Sequence, residues 1–515
     1  MKVLKGILFL LLLTSHLQAN SLQTLPPYHW VYDSLDELRL RGYFFELFTM
    51  NKPFTRGQVA TALETLLQEI NEGKIRPNLA DQWRIYHLVK EFTDILQHSN
   101  LYNLNAGLMI SETAGISDGE SEINGRWRTK FSYSPSANVE LFNAIYFNQS
   151  DFDDPLYIGE RWRGFTLLTE QAFARIKLGN WHLLLGRDFL KWGPGKDAGL
   201  LISDYSRPLD QISARYSHRF FRFTSVVATL DAMSVNSAKY YASKAYRYLT
   251  AHRLDLKINR KLQIGYSEAA LYGGPDARLE FNYLNPFLPL YGEIVNLNGS
   301  AGNILGTVDF QYFPICGLEL YGEFLLDDIQ VEKTGPGDLE PNELGMICGF
   351  QLADPLLFTG ITIGAEYTVV TNRTYNTVSP WEKFIHRNQP IGHFLGNDFT
   401  RLRLHGKYWL SGKIQVAANY ENVHAGEGDV LNDFDTPWMD YTVAQGYSEP
   451  FPTGTVETTN FFNLKLIYQP WHQWHFSLES AYTNIRNFEN IEGQNKNFMG
   501  FFLNIWLDWE YFNKL

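Results

Sequence analysis

The densest group of charged and aromatic side chains in this chain lies between Gly186 and Asp204. Five of its residues offer chemistry to a ligand: Arg187, Asp188, Lys191, Trp192 and Lys196. Guanidinium and ammonium groups pair with carboxylates and phosphates, and an indole offers a flat apolar face on which a sugar ring can lie. The group therefore predicts a binding site for an anionic sugar. Alternatively, the same charges form a ladder that holds the fold in shape.

A second polar pair, Arg278 and Glu280, alternates with the apolar residues Leu279 and Phe281. This alternation is typical of a strand with one polar and one apolar face. We expect both polar side chains to face inward and to act as partners of the first group.

The elements that would position these residues are strands. From about residue 101 onward, apolar and polar residues alternate with a period of two in roughly 16–19 segments. The last segment, 501–512, has the length of a tilted strand that crosses a bilayer, roughly 9–11 residues. Its second face mixes Phe502 and Trp506 with Asn504 and Asp508. Aromatics among polar groups predict a barrel interior that is packed against something rather than filled with water.

The composition favours a large transmembrane β-barrel over several soluble domains. Aromatic residues make up 15% of the 515 residues and charged residues only 19%, yet the mean hydropathy is -0.24. A barrel needs this balance because half of each strand faces lipid and half faces the interior. The net charge of -12 argues against nucleic acid as a partner.

The first 19 residues read as a signal peptide, with Lys2 and Lys5 before a short apolar core and Leu17-Gln18-Ala19 as the cleavage site. The two cysteines, Cys316 and Cys348, could form a disulfide or be two small buried side chains. Asp327 and Asp328 precede an acidic stretch for which a solvated loop is favoured over a calcium site. No motif predicts a catalytic residue, a metal or a cofactor.

Residues 20–98 show helical rather than strand periodicity and predict a small helical domain. Val31, Leu35 and Leu38 share one helical face, and Thr55 with Gln58 forms a capping box at the start of a second helix. A third helix is predicted around Trp83 to Ile95. Residues 101–515 then form the barrel, with tight turns near 133–138, 257–262 and 409–414 and long loops at 327–342, 371–398 and 424–458.

Part of the helical domain resembles an S-layer homology module. The matching residues are His29-Trp30, Leu35, Leu38, Gly42, Pro53-Phe54-Thr55-Arg56 and Val59-Ala60. The resemblance implies that Thr55 and Arg56 contact a cell-wall polymer, such as one linked to peptidoglycan. Alternatively, the domain is only a periplasmic helical cap, in which Arg56 is a solvated residue of the first helical turn.

The rest of the chain resembles the Wzi-type capsule assembly family in spaced blocks. These blocks are Gly186-Arg187-Asp188, Trp192-Gly193-Pro194-Gly195, Leu201-Ile202-Ser203-Asp204, Pro208-Leu209-Asp210, residues 280–287 and residues 320–328. The resemblance implies an outer-membrane barrel of about 18 strands and a non-enzymatic, lectin-like role in holding capsular polysaccharide at the cell surface. The alternative function is a porin-like diffusion channel, which would need an open lumen where the lectin predicts inward-folded segments such as 188–204.

Overall fold

The alternating segments form a closed antiparallel β-barrel of 18 strands, so the predicted fold class and strand number are confirmed. Our computed structural model describes residues 22–97, 103–117, 120–149, 157, 159–235, 243–292 and 302–514. The predicted signal peptide lies outside these ranges.

The strands are numbered in chain order. The first twelve are β1 (Asn51–Lys52), β2 (Asn103–Ser117), β3 (Glu120–Ser136), β4 (Val139–Asn148), β5 (Arg161–Trp162), β6 (Phe165–Leu178), β7 (Trp181–Asp188), β8 (Lys191–Trp192), β9 (Leu209–Ser217), β10 (Phe221–Thr229), β11 (Met233–Val235) and β12 (Ser243–Lys257). The others are β13 (Leu262–Gly274), β14 (Asn303–Tyr312), β15 (Leu318–Asp328), β16 (Glu343–Ala353), β17 (Ile361–Val370), β18 (Ile385–His386), β19 (Gln389–Pro390), β20 (Phe399–Ser411), β21 (Ile414–Ala425), β22 (Glu457–Trp471), β23 (Trp474–Arg486) and β24 (Asn495–Lys514). Strands β5 and β11 extend the wall, whereas β1 with β8 and β18 with β19 form two small separate sheets.

The last strand closes the barrel against the first wall strand. Strand β24 pairs with β2 from Asn103 opposite Lys514 to Ser117 opposite Gly500. Its outward residues Phe501 and Leu503 are about half exposed, whereas Trp506 on the other face packs against the rings of His29 and His475. The inner face of this strand is therefore packed, as its mixed composition predicts.

Short turns and long loops alternate at the strand ends, which places them at opposite ends of the barrel. The turns at 137–138, 258–261 and 412–413 and the loops at 329–342, 371–398 and 426–456 agree with the prediction. The middle loop differs in one respect: its apolar residues Tyr375 and Phe384 are fully buried in the barrel interior. Burial of these rings stabilises an inward fold of the loop. The polar residues around them had predicted an exposed loop instead.

The described residues before the barrel include four helices: α1 (Val31–Leu40), α2 (Arg56–Asn71), α3 (Leu79–Glu91) and α4 (Thr93–Gln97). Thr55 and Gln58 form the expected capping box of α2. The helices seat against the short-turn end: Trp83 packs over Gly412, and Arg41 forms an ion pair with Asp354 at 3.1 Å. Within the described residues, no helix is long and apolar enough to cross a bilayer.

The two largest hydrophobic cores of the described residues lie in different parts of the molecule. One lies among the four helices and includes Leu35, Leu63 and Leu88. The other lies inside the barrel, where Trp192 and Leu200 from one inward segment meet Tyr375 from another. The barrel interior thus has a packed core of its own.

The fold settles the expectations about the two cysteines and about Arg278 and Glu280. Cys316 and Cys348 are free thiols, so they form no disulfide, and both residues are exposed, so the alternative of two buried side chains is wrong as well. Arg278 and Glu280 do not lie on a strand: they are exposed on the loop after β13 ends at Gly274. The predicted inward ladder at these two residues is therefore wrong, because the chain leaves the barrel wall before it reaches them.

Candidate functional site

The group between Gly186 and Asp204 folds into the barrel as predicted. Strand β7 ends at Asp188, and residues 189–208 run inward before the chain rejoins the wall at β9. We call residues 189–208 the inner segment. Its β8 pairs with β1 of the N-terminal region, Asn51 opposite Trp192 and Lys52 opposite Lys191. The inner segment and the N-terminal region that carries the helices are therefore joined, and together they occupy the barrel interior.

The turn after Trp192 requires its glycines. Gly193 has a φ of +96°, and a Cβ on Gly195 would lie 1.9 Å from the carbonyl oxygen of Ala198. L side chains rarely adopt the first conformation, and no side chain fits at the second position. These glycines allow the chain to fold back so that the Trp192 amide donates to the Ile202 carbonyl at 2.9 Å.

Trp192 cannot bind a sugar in this conformation. Its side chain is 0% exposed and belongs to the core inside the barrel. The predicted stacking of a sugar ring on this indole is therefore contradicted by the structure. An indole that stacks on a sugar must have one open face, and the Trp192 indole is packed among the side chains of the core.

The charged residues of the group form ion pairs with carboxylates or an arginine. Arg187 pairs with Asp210 at 2.6 Å, Lys191 with Asp204 at 2.8 Å and Lys196 with Glu319 at 2.8 Å. Asp188 accepts from Arg175 at 3.0 Å and also from Thr24 of the N-terminal region. These pairs match the alternative of a charge ladder, and direct contact of these residues with sugar stays a prediction.

The ladder extends beyond the predicted residues. Arg253 on β12 pairs with Asp309 at 2.6 Å and with Asp255 at 2.8 Å, and all three side chains are almost fully buried. Arg401 on β20 reaches Asp197 of the inner segment at 2.6 Å. Sequence analysis missed these residues, although the alternation His252-Arg253-Leu254-Asp255 places charges on one face of a strand.

The two residues assigned to a cell-wall polymer have internal partners. The Thr55 hydroxyl accepts from the Gln58 amide at 3.1 Å, and Arg56 pairs with Glu91 at 2.8 Å. Both residues are buried, so Arg56 is not the solvated residue that the alternative predicted. Their contact with a cell-wall polymer stays a prediction.

An open pocket of about 400 Å³ lies at the long-loop end of the barrel. Its lining includes Tyr157, Trp162, Arg207 and Arg387, together with the carboxylate of Glu160. We call it the rim pocket. Trp162 on β5 is 65% exposed, and Arg207 lies 5.2 Å from the centre of the Tyr157 ring. The rim pocket therefore exposes aromatic and cationic groups to a ligand. Trp192, Lys191 and Lys196 do not, because they have partners inside the barrel.

The rim pocket is locally electropositive. Burial lowers the pKa of Arg387, and the neighbouring cations Arg187 and Arg207 lower it further, whereas the carboxylates of Asp231 and Asp210 offset part of this effect. Asp231 lies on the other side of this hairpin: burial opposes its ionisation, but hydrogen bonds from His386 and from the Arg387 amide bring its pKa to about 2. The run Arg161-Trp162-Arg163 could have indicated this pocket from the sequence, whereas nothing near Arg387 did.

Among the described residues, no group of three or more histidine, cysteine or acidic side chains is arranged to hold a metal ion. The polar groups that converge at the long-loop end can bind and orient a charged, ring-shaped ligand. That chemistry is recognition by stacking and ion pairing.

Comparison with solved structures places this fold beside outer-membrane proteins. The structure is similar to Escherichia coli Wzi, which is described as a carbohydrate-binding β-barrel involved in group 1 capsule assembly, with a TM-score of 0.61 and 13% identity over 94% of this chain and 99% of that one. It is also similar to Pseudomonas aeruginosa OccK1 (OpdK), with a TM-score of 0.46 and 11% identity over 79% of this chain and 99% of that one. At 13% identity, the similarity to the Escherichia coli barrel establishes the fold alone.

No curated protein matches the sequence. A family model does match, over residues 105–499, and its description is capsule assembly protein Wzi. The matched region begins within β2, so it leaves out the helical domain, and the resemblance of that domain to an S-layer homology module is not confirmed. Because the match covers most of the 515 residues, the chain belongs to the Wzi capsule assembly family.

Proposed function

We propose that this protein is a non-enzymatic outer-membrane barrel that binds surface polysaccharide in capsule assembly or attachment. The long-loop end faces the cell exterior, the helical domain faces the periplasm, and the apolar outer wall contacts membrane lipids. Family membership and the similarity to a barrel described as carbohydrate-binding support this function. The observation that carries it is the rim pocket, whose aromatic and cationic groups stand open at the proposed exterior.

A filled interior favours binding over diffusion. The inner segment and residues of the 371–398 loop bury Trp192, Leu200, Tyr375 and Phe384 in one core. From the other end, Thr49 and Asn51 of the N-terminal region hydrogen-bond to Gln311 and Asp255 of the wall. A diffusion channel would need a water-filled path through these contacts.

In this function, the residues predicted as a sugar-binding site have structural roles or lie on an exposed loop. Lys191 and Lys196 hold the inner segment in place through their ion pairs. Arg187 and Asp188 instead join β7 to the neighbouring wall strands β9 and β6. Arg278 and Glu280 are exposed on a loop at the long-loop end, where they are accessible to a polysaccharide. The helical domain closes the periplasmic end, and a cell-wall polymer contact through Thr55 and Arg56 would require their present pairs to open.

The experiment is a binding measurement with the full-length protein in detergent micelles. The probe is surface polysaccharide purified from the cells that make the protein. Trp162→Ala should weaken binding at least fivefold, because it removes the exposed indole of the rim pocket. Trp471→Ala is the matched control, since this equally exposed indole lies next to a short turn at the other end of the barrel.

Wild-type protein that leaves this polysaccharide unbound would contradict the proposed function. Equal binding by wild-type protein and Trp162→Ala would exclude the rim pocket as the site. The polysaccharide should also keep its chain length after prolonged incubation, and shortening would contradict the non-enzymatic role.

A further inference from the structure

The rim pocket contains a cation, Arg387, that forms no ion pair with the residues that the structure describes. Arg187, Arg253 and Arg401 each pair with at least one carboxylate. Among the residues that the structure describes, Arg387 has no such partner, and its buried Nε atom has no hydrogen-bond acceptor. A buried donor of this kind is costly, and at the wall of an open pocket a ligand can supply the missing acceptor.

The backbone holds Arg387 in a fixed position. It lies at the turn between β18 and β19, where Arg387 and Asn388 have φ values of +52° and +61°. Asp231 accepts from the Arg387 amide at 2.8 Å and contacts His386 at 3.0 Å. The common two-residue hairpin turn requires positive φ values at both central residues, so the turn geometry fixes the Arg387 backbone.

A buried arginine anchors the same hairpin from the barrel wall. Arg247 on β12 donates to the carbonyls of Trp381, Lys383 and Ile385 at 2.9, 2.6 and 2.9 Å. Its guanidinium is fully buried. The turn that carries Arg387 is therefore preorganised, which reduces the entropy lost when a ligand binds.

A second guanidinium reaches the rim pocket from the inner segment. Arg207 donates to the Tyr146 hydroxyl at 3.2 Å and lies over the Tyr157 ring. The acidic residue of the described lining, Glu160, is exposed to solvent, where its charge is screened. The cations therefore dominate the buried part of the pocket.

We propose that the rim pocket selects sugar residues that carry a carboxylate, with Arg387 as the main contact and Arg207 as the second. The proposal rests on the proposed function and adds to it the class of sugar. A planar guanidinium matches a carboxylate with two parallel hydrogen bonds, which fixes the orientation of the sugar. Tyr157 and Trp162 then contact the apolar parts of the ring.

The test compares native surface polysaccharide with the same material after its carboxyl groups are reduced to alcohols. Full-length protein in micelles should bind the native form at least tenfold more tightly. Equal binding of both forms would overturn the proposal while leaving polysaccharide binding intact, whereas binding of neither would contradict the proposed function itself. Binding that survives reduction but is lost after phosphate removal would also overturn the proposal, because phosphate would then be the recognised group.

Variants assign the effect to the pocket. Arg387→Gln and Arg207→Gln should each weaken binding of the native form at least fivefold and leave binding of the reduced form nearly unchanged. Arg387→Lys should restore part of the loss, since it keeps the charge without the planar fork. Arg260→Gln, at an exposed position in a turn at the other end of the barrel, is the matched control.

The unfolding midpoint of Arg387→Gln should equal that of the wild type, because the replaced guanidinium pairs with no described carboxylate. An unchanged affinity of folded Arg387→Gln for the native polysaccharide would overturn the assignment.

Discussion

At the scale of residues, the interior of this barrel is held together by ion pairs that are removed from water. Burying a charge costs several kcal/mol, and a partner offsets that cost only with good geometry. Arg253 has this geometry, since it contacts Asp255, Asp309 and the Ser267 hydroxyl at 2.6–2.8 Å. Such pairs are weak sources of stability when whole, but removing one partner leaves the others uncompensated.

Arg253→Leu should therefore destabilise the protein strongly. The substitution leaves two carboxylates buried without a cation, which costs about 3–5 kcal/mol. Urea unfolding of the micelle-bound protein, followed by tryptophan fluorescence, measures the change. Arg260→Leu should have almost no effect, since Arg260 is exposed. A midpoint of Arg253→Leu equal to that of the wild type would show that the pairs do not form.

His87 gives the helical domain a pH-dependent stability. It is buried on α3, where burial, then the nearby His472 and Lys413, lower its pKa to about 4. The unfolded chain binds its proton below about pH 6.5. The folded protein resists protonation down to about pH 4, so stability should fall as the pH drops from 6.5 to 4.

The size of this effect is on the order of 3 kcal/mol for one group with such a shift. His87→Phe should remove it, so the difference in unfolding free energy between wild type and variant should change across this pH window. Exposed His218 provides the control, since His218→Phe should keep the wild-type dependence. A parallel pH profile of wild type and His87→Phe would contradict the buried, neutral state of His87.

The sequence identified only some of the residues that form the ion pairs and the rim pocket, because their partners lie far apart in the chain. The charge cluster 187–196 was found because charges are rare in this chain and these lie close together. Their ion-pair partners, however, include Asp210, Glu319 and Arg175, which lie on other strands. The sequence does not indicate that these residues come close to the cluster. Arg387 could not be found at all, because its importance comes from a hairpin whose anchor, Arg247, is 140 positions away in a wall strand.

At the scale of elements, alternation predicts the wall strands well because lipid and interior impose opposite polarity on successive residues. The prediction failed where the chain leaves the wall while keeping the same alternation, as at 278–280. It also missed the inward fold of the 371–398 loop. The apolar residues there are spaced irregularly, and only contact with Leu200 of the inner segment explains their burial.

The fold of the inner segment depends on Gly195. Gly195→Ala places a Cβ against the Ala198 carbonyl, so the turn must open and the pairing of β8 with β1 should weaken. We expect a loss of stability of about 1–3 kcal/mol, as for other overpacked positions. Limited proteolysis should also cleave the inner segment faster.

Gly337→Ala is the matched control, because a Cβ there meets no atom within 4 Å. Equal protease resistance of Gly195→Ala and the wild type would show that this turn tolerates a side chain.

At the scale of the whole molecule, three parts of the chain fill one barrel. The helical domain seats at the short-turn end, the inner segment occupies the centre, and the 371–398 loop packs on it from the other end. Each part contacts the next, so a substitution that displaces one part should also alter the packing of its neighbour. This arrangement suits a binding protein, because a rigid base positions the loops that meet the polysaccharide.

The filled interior predicts that the intact protein gives no steady large-pore current in a planar bilayer. Asp188 and Leu209 face each other across β7 and β9, so a two-residue Asn-Gly turn can join these strands without the inner segment. This deletion removes the centre of the filling and should produce a measurable current. Replacing residues 329–342 by the same turn between Asp328 and Glu343, which also pair, shortens an outer loop and should leave the bilayer silent. A steady current from the intact protein would instead support the diffusion channel.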